Sequence, residues 1–304
     1  MKFNSKAMLI LGCVVVLNGC AIREVAVNKL ADALAEGGTV YASDNDIVLV
    51  GEALPFSLKT IEGLLQQVPH HEGLLLTAAS GFTQYSYVWV DLPSREQALI
   101  NPERARESKQ RAKNLYLRAR QYAVRAVEIR RPGFMSLYVQ DPHSALKEIE
   151  RSDIPALYWL SLSWAAAIAA DKSDMEMVAD LNLIYPIMQR CLDLDESDQE
   201  GALHEFMIVY QGSRSPLQGG GTDLARAHFE RVMELAGNNR VGPLVSFAET
   251  VSIAEQDKAE FTALLEQALE FDVDLAIPTR LANLVAQKRA RLLLAQTDNL
   301  FLED

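Results

Sequence analysis

Apolar side chains return every three or four residues along nearly every stretch of this chain longer than ten residues, and two-residue alternation is almost absent. That is the helical period, in which positions i, i+3, i+4 and i+7 share one face. It predicts helices over about 22–35, 45–67, 71–90, 101–130, 142–150, 153–170, 175–194, 198–211, 223–236, 243–255, 258–271 and 279–297. Several starts are marked chemically. Asn101-Pro102-Glu103 and Asp141-Pro142 place a capping side chain before a proline at the first helical position. Ser94-x-x-Gln97, Ser173-x-x-Glu176 and Asp257-x-x-Glu260 read as capping boxes. The expected fold class is all-α, with about a dozen helices and short connections.

One five-residue pattern recurs: polar, small, apolar, acidic, apolar. It stands at Arg125-Ala126-Val127-Glu128-Ile129, Arg190-Cys191-Leu192-Asp193-Leu194, Arg231-Val232-Met233-Glu234-Leu235 and Gln267-Ala268-Leu269-Glu270-Phe271. The last three copies are 41 and 36 residues apart, near the period of about 34 of tetratricopeptide helix–turn–helix units. Each copy closes a predicted helix. A single helical hairpin cannot bury its apolar face alone, whereas stacked hairpins share a core and present a concave surface to a partner. The expected architecture is a helical-repeat bundle of divergent tetratricopeptide-like hairpins, clearest over 175–272, within a single domain from 20 to 304.

The N-terminus follows another rule. Lys2 and Lys6 precede the apolar run Ala7–Leu17, which is broken only by Gly12 and followed by Leu17-Asn18-Gly19-Cys20. A run this short reads as an export signal rather than a spanning helix, which needs about 20 apolar residues. Residues 1–19 are the expected signal peptide. Leu-x-Gly-Cys resembles the bacterial lipobox, which makes Cys20 the expected lipid attachment point; a plain signal peptide is the alternative. Several acyl chains on one cysteine give stable anchoring. Ala21 after the cysteine resembles the signal for release to the outer membrane, so the expected location is its periplasmic face, with inner-membrane anchoring as the alternative.

Composition narrows the field. The formal charge is −12, more acidic once Lys2 and Lys6 leave, which argues against nucleic-acid binding. Of three cysteines, Cys13 lies in the signal and Cys20 at the anchor, so Cys191 has no disulfide partner. Its helical spacing with Leu181, Ile184, Met188 and Leu194 makes it a small core residue. The charge is uneven: Asn101–Arg131 holds ten Arg or Lys against three Glu, while Asp141–Gly212 holds four basic and fourteen acidic residues. Such stripes are solvated helix faces, or they pair across the fold, or they steer a charged partner. For the last role the candidates are Arg111, Arg118, Arg120 and Arg125.

Enzyme signatures such as Gly-x-Ser-x-Gly, His-Glu-x-x-His, a phosphate loop or Cys-x-x-Cys do not occur. No catalytic residue, cofactor or metal is expected, and Gly219-Gly220-Gly221-Thr222-Asp223 reads as a flexible loop capped by Thr222. The aromatic stretch Phe82, Gln84, Tyr85 and Trp89 is either core packing or the lining of a mostly apolar pocket. Tyr158, Trp164, His204 and Glu205 are candidates for the same lining.

The order of several segments points further. Ala53-Leu54-Pro55-Phe56, Leu74-Leu75-Leu76-Thr77-Ala78-Ala79-Ser80-Gly81-Phe82-Thr83-Gln84-Tyr85, Leu115-Tyr116-Leu117-Arg118-Ala119-Arg120, Leu157-Tyr158-Trp159, Gly201-Ala202-Leu203-His204-Glu205-Phe206, Ala225-Arg226-Ala227-His228-Phe229-Glu230 and Arg280-Leu281-Ala282-Asn283-Leu284 follow one another along the chain. Together they resemble the T-component family of lipoproteins associated with tripartite ATP-independent periplasmic (TRAP) transporters. The resemblance implies an all-helical protein with buried tetratricopeptide-like motifs, forming a homo-oligomer, in particular a trimer. It also implies association with the transporter's periplasmic solute-binding protein and the holding of small, partly hydrophobic ligands such as carboxylates. The expected function is a lipid-anchored accessory subunit; the alternative is a tetratricopeptide-type scaffold for envelope assembly without a small-molecule ligand.

Overall fold

The computed structural model describes residues 27–302 apart from positions 99 and 238. The expected signal peptide and Cys20 lie outside the described residues. The described residues form helices and contain no strand, as the period required.

Pro102–Arg130 is the longest helix and the axis of the N-terminal part. Asn101 caps it, accepting from the backbone N–H of Arg104, and Pro102 sits where a missing N–H costs nothing. Five alanines, Ala105, Ala112, Ala119, Ala123 and Ala126, run along its buried face beside Lys113, Tyr116 and Val127. Alanine brings helix backbones close, and Glu72–Ser86 and Ile154–Ala170 pack along both sides. Leu75, Phe82, Leu157, Trp164, Met188 and Cys191 belong to the resulting core. Ile154–Ala170 is apolar nearly all round, the signature of a helix enclosed by neighbours.

The four copies of the repeated pattern fall at helix ends, closing Pro102–Arg130, Leu181–Asp195, Thr222–Ala236 and Lys258–Glu270. The C-terminal part pairs Ala202–Gly212 with Thr222–Ala236, and Gly242–Phe247 with Lys258–Glu270. Arg280–Leu294 then runs back to the N-terminal part, where Leu281 meets Val50 and Leu54.

Several boundaries differ from the sequence pattern. The helix expected to end near 90 continues to Gln97 through a π-helical segment, Tyr87–Asp91. A π turn already skips the i→i−4 bond, so Pro93, which has no N–H to give, does not stop the helix. Ser94 consequently caps nothing. It is buried and its hydroxyl donates to Asp91 O at 2.6 Å. A second π segment, Ala248–Ser252, follows Gly242–Phe247. The expected helix 175–194 divides into Met175–Ala179, capped by Asp174 rather than Ser173, and Leu181–Asp195. Phe134–Gln140 is an additional helix entered through Gly133 at φ 82°. Thr222 opens its helix without capping it, and Gly221 is the cap residue.

The expected helix 198–211 begins later, at Ala202. Before it Gln199, Glu200 and Gly201 stand consecutively at φ 47°, 56° and 81°. Two non-glycine residues in succession at positive φ hold a conformation that L side chains resist, and it persists only where neighbours fix it.

Candidate functional site

A row of charged side chains crosses the seam between the N- and C-terminal parts. Asp91 Oδ2 accepts from Arg95 Nη2 at 3.1 Å, and Arg95 Nη1 donates to Glu249 Oε1 at 3.0 Å. Glu249 also takes the Arg289 guanidinium. Arg289 Nη1 donates to Ser246 Oγ at 3.3 Å, and Ser246 Oγ to Glu205 Oε1 at 3.4 Å. Glu205 is paired in turn with Arg240. The row thus alternates three carboxylates with three guanidiniums.

Local structure explains why these groups meet. Asp91 lies in the first π segment and Glu249 in the second, and Arg95 follows the first by one turn. Gly242 lets Glu205 approach, because a Cβ there would lie 2.6 Å from Glu205 Oε1. Buried Asn283 fixes the Asn239–Val241 loop that carries Arg240, donating to Asn239 O at 2.8 Å and accepting from Val241 N–H at 3.1 Å.

At the centre of the row, mutual pairing holds Arg95, Glu249 and Arg289 in their charged forms. Burial disfavours the charged forms of Arg95 and Arg289, but Glu249, aided at Arg95 by Asp91, raises both above the ordinary arginine value. Burial pushes Glu249 up, yet Arg289 and Arg95 together hold it below the usual carboxylate range. Water still reaches the row: 39 % of the Arg95 side chain and 22 % of that of Glu205 remain exposed.

Arg240 ends the row beside a hollow of about 210 Å³, whose walls include Met233, Val241, Leu244 and Phe271, with Gln267 and Glu270 at its polar edge. Arg240 also reaches the left-handed turn, donating to Gln199 O at 2.9 Å. Tyr158 faces the same end. Burial pushes its hydroxyl up to about 12, with Arg240 opposing and Glu205 and Asp198 adding to the rise. A wider open groove of about 600 Å³ lies elsewhere, between Pro142–Lys147 and Leu181–Asp195, lined by Leu146, Tyr185 and Pro186 among others.

The structure brings Tyr158 and Glu205 of the sequence candidates together and puts the others elsewhere. Phe82 is buried and stacked on Tyr122. Trp164 is 1 % exposed, its indole N–H donating to Asp180 at 3.1 Å. Tyr85 stacks on Trp89, whose Nε1–H donates to Ile47 O, while Gln84 is exposed. His204 belongs to a different cluster. Its Nε2 lies 3.3 Å from Glu196 and its Nδ1 2.8 Å from His228 Nδ1, and Arg231 grips Glu196 from the other side. Burial lowers both histidines, with Glu196 opposing at His204, and His228 falls to about 4.

Three of the four candidate docking arginines share a face. Arg111, Arg118 and Arg125 are seven residues apart and lie over the rings of Tyr85, Phe82 and Tyr122. Arg120 points elsewhere, with its guanidinium 3.9 Å from the centre of the Trp164 ring.

Arg95, Arg240, Ser246, Glu249 and Arg289 escaped the sequence reading. Their trace was present: Glu249 is the lone charge between Phe247-Ala248 and Val251, and Arg289 stands on the helix face that carries Leu281, Val285 and Ala286. A charge at a position that the period assigns to the core is the informative exception.

The described residues thus form an all-helical body with a charged, water-reached seam beside a small hollow. A model of the TRAP transporter T-component family (TAtT) matches residues 43–301, and the chain belongs to that family. It is an accessory component of a TRAP transporter by that membership. It is also 28 % identical over 303 residues to a Treponema pallidum protein described as uncharacterised, with 94 % of each chain covered. No helix among the described residues is long and apolar enough to cross a membrane.

Proposed function

We propose that this T-component is a lipid-anchored periplasmic subunit that docks its transporter's solute-binding protein and holds a small, partly apolar carboxylate at Arg240. The observation that carries the ligand reading is the position of Arg240, a guanidinium between an apolar hollow and a carboxylate it can exchange. A fatty chain of six to eight carbons suits about 210 Å³, below the usual range for drug-sized ligands. Its carboxylate takes the place of Glu205 on Arg240, and the fork geometry of arginine favours a planar anion.

Docking is assigned to the stripe of exposed Arg111 and Arg118 and half-buried Arg125, with an acidic surface of the solute-binding protein as its complement. Attachment at Cys20 holds the body, a single domain from 20 to 304, at the periplasmic face of the outer membrane, and the working assembly is a homotrimer.

Calorimetric titration of the full chain with octanoate tests the ligand reading. Binding is expected, with octanol failing to replace the acid and Arg240→Gln weakening affinity by about tenfold or more. Equal affinity for octanoate in the variant refutes the assignment. For docking, Arg118→Glu with Arg125→Glu should weaken binding of the solute-binding protein and flatten its salt dependence.

A further inference from the structure

We propose that the Asp198–Gly201 turn is a movable lip beside the ligand hollow and that Arg240 is the clasp that holds it shut. The turn is the most strained backbone described in the chain. Gln199 and Glu200 hold positive φ without being glycine, and Gly201 extends the run to three residues. Such a run survives where its surroundings over-determine it. Two groups do so here. From within, Glu200 N–H donates to Ser197 O and Gly201 N–H to Asp198 O, both at 3.1 Å. From without, one guanidinium spans the structure: Arg240 Nη1 donates to Gln199 O at 2.9 Å and reaches Glu200 O at 3.5 Å, while Nη2 is paired with Glu205.

Arg240 therefore fixes both sides of the turn, its backbone carbonyls and the first turn of the helix that follows it. Asn283 prevents Arg240 from following the turn outward, since it pins the loop on either side through Asn239 O and Val241 N–H. The clasp has a rigid root and a strained object in its grip. Released from Arg240, the turn keeps its internal bonds and the packing of Gly201 beside Val232 and Leu235, and loses the one side-chain grip on the carbonyls of Gln199 and Glu200.

The trigger rests on the ligand reading given above. A carboxylate arriving from the hollow competes with Glu205 for Nη2 and draws the guanidinium away from Gln199 O. Binding then loosens the lip, so that the occupied protein differs from the empty one at the largely exposed Ser197–Glu200 turn. Arg240 acts on the turn as a positioning residue.

Hydrogen exchange followed by mass spectrometry on the full chain tests both parts. The reporters are the amides of Glu200, Gly201, His204 and Glu205, which bond within the turn or back to Gly201. In Arg240→Gln without ligand, these amides are expected to exchange about tenfold faster while those of Pro102–Arg130 keep their wild-type rates. Unchanged reporter rates, or an increase spread over the whole chain, overturn the clasp. Arg240→Lys, which keeps the charge but loses the fork, should give a smaller increase and serves if the glutamine variant does not fold. Saturating octanoate on the wild type should accelerate the same four amides. Bound octanoate that leaves them unchanged or slows them overturns the trigger. Absence of octanoate binding refutes the ligand reading and the trigger with it, and the ligand-free variants still decide the clasp.

Discussion

The aromatic wall from Phe82 to Trp89 and the charged seam from Asp91 to Arg240 adjoin in sequence and differ in almost every physical respect. In the wall, rings meet rings: Phe82 stacks on Tyr122, Tyr85 on Trp89, and the Trp89 indole closes over Gly51, where a Cβ would lie 2.1 Å from its nitrogen. In the seam, ions meet ions and water still reaches them. The wall is rich in the residue types that line pockets and is used for packing. The seam is poor in them, and it is where the proposed ligand would replace one carboxylate by another. Residue type alone points to the wall, whereas mismatch between a residue and the burial that its position demands points to the seam.

The largest effect that can break this contrast belongs to the packed side. Phe82→Ala removes a buried ring of the wall and should cost roughly 3–5 kcal/mol, read from the urea midpoint, while octanoate affinity in the surviving folded fraction stays unchanged. A large loss of affinity with little loss of stability would reverse the roles assigned to wall and seam. Next comes Glu249→Gln, which leaves Arg95 and Arg289 without their shared carboxylate. It should cost roughly 2 kcal/mol, less than in a dry interior because water reaches both guanidiniums.

The smallest effect, taken per pH unit, concerns protonation. Burial depresses His228 to about 4 in the folded chain, against about 6.5 unfolded. Between those values the unfolded chain binds the extra proton, so stability falls as pH drops through the window, by at most about 1.4 kcal/mol per unit. His228→Gln should flatten that slope. A slope that survives the substitution would assign the loss to other groups.

The helices were legible because the apolar period is a local property and the caps at Asn101, Asp141 and Asp257 announce themselves. The repeated pentapeptide also marked real helix ends. The π segments were not legible. A proline after Asp91 reads as a stop, and only a register slip that depends on packing against other helices turns it into a continuation. The site was half legible for a related reason. Glu205 and Tyr158 stood out locally, whereas Arg240 lies in a loop of unremarkable composition. Its importance comes from Asn283, 43 residues away, and from a turn 40 residues before it.

The two π segments have a consequence for variation in length. Each inserts one residue into the angular count of a helix, and one residue is about 100° of rotation. The wide turn takes up that residue locally, so deleting one residue within Tyr87–Asp91 would restore an ordinary helical turn and leave the register of the following Leu92–Gln97, Arg95 included, nearly unchanged. The same residue inserted elsewhere in the helix, with no wide turn to absorb it, would swing Arg95 away from Glu249. A length difference of one at either segment is therefore compatible with the same seam.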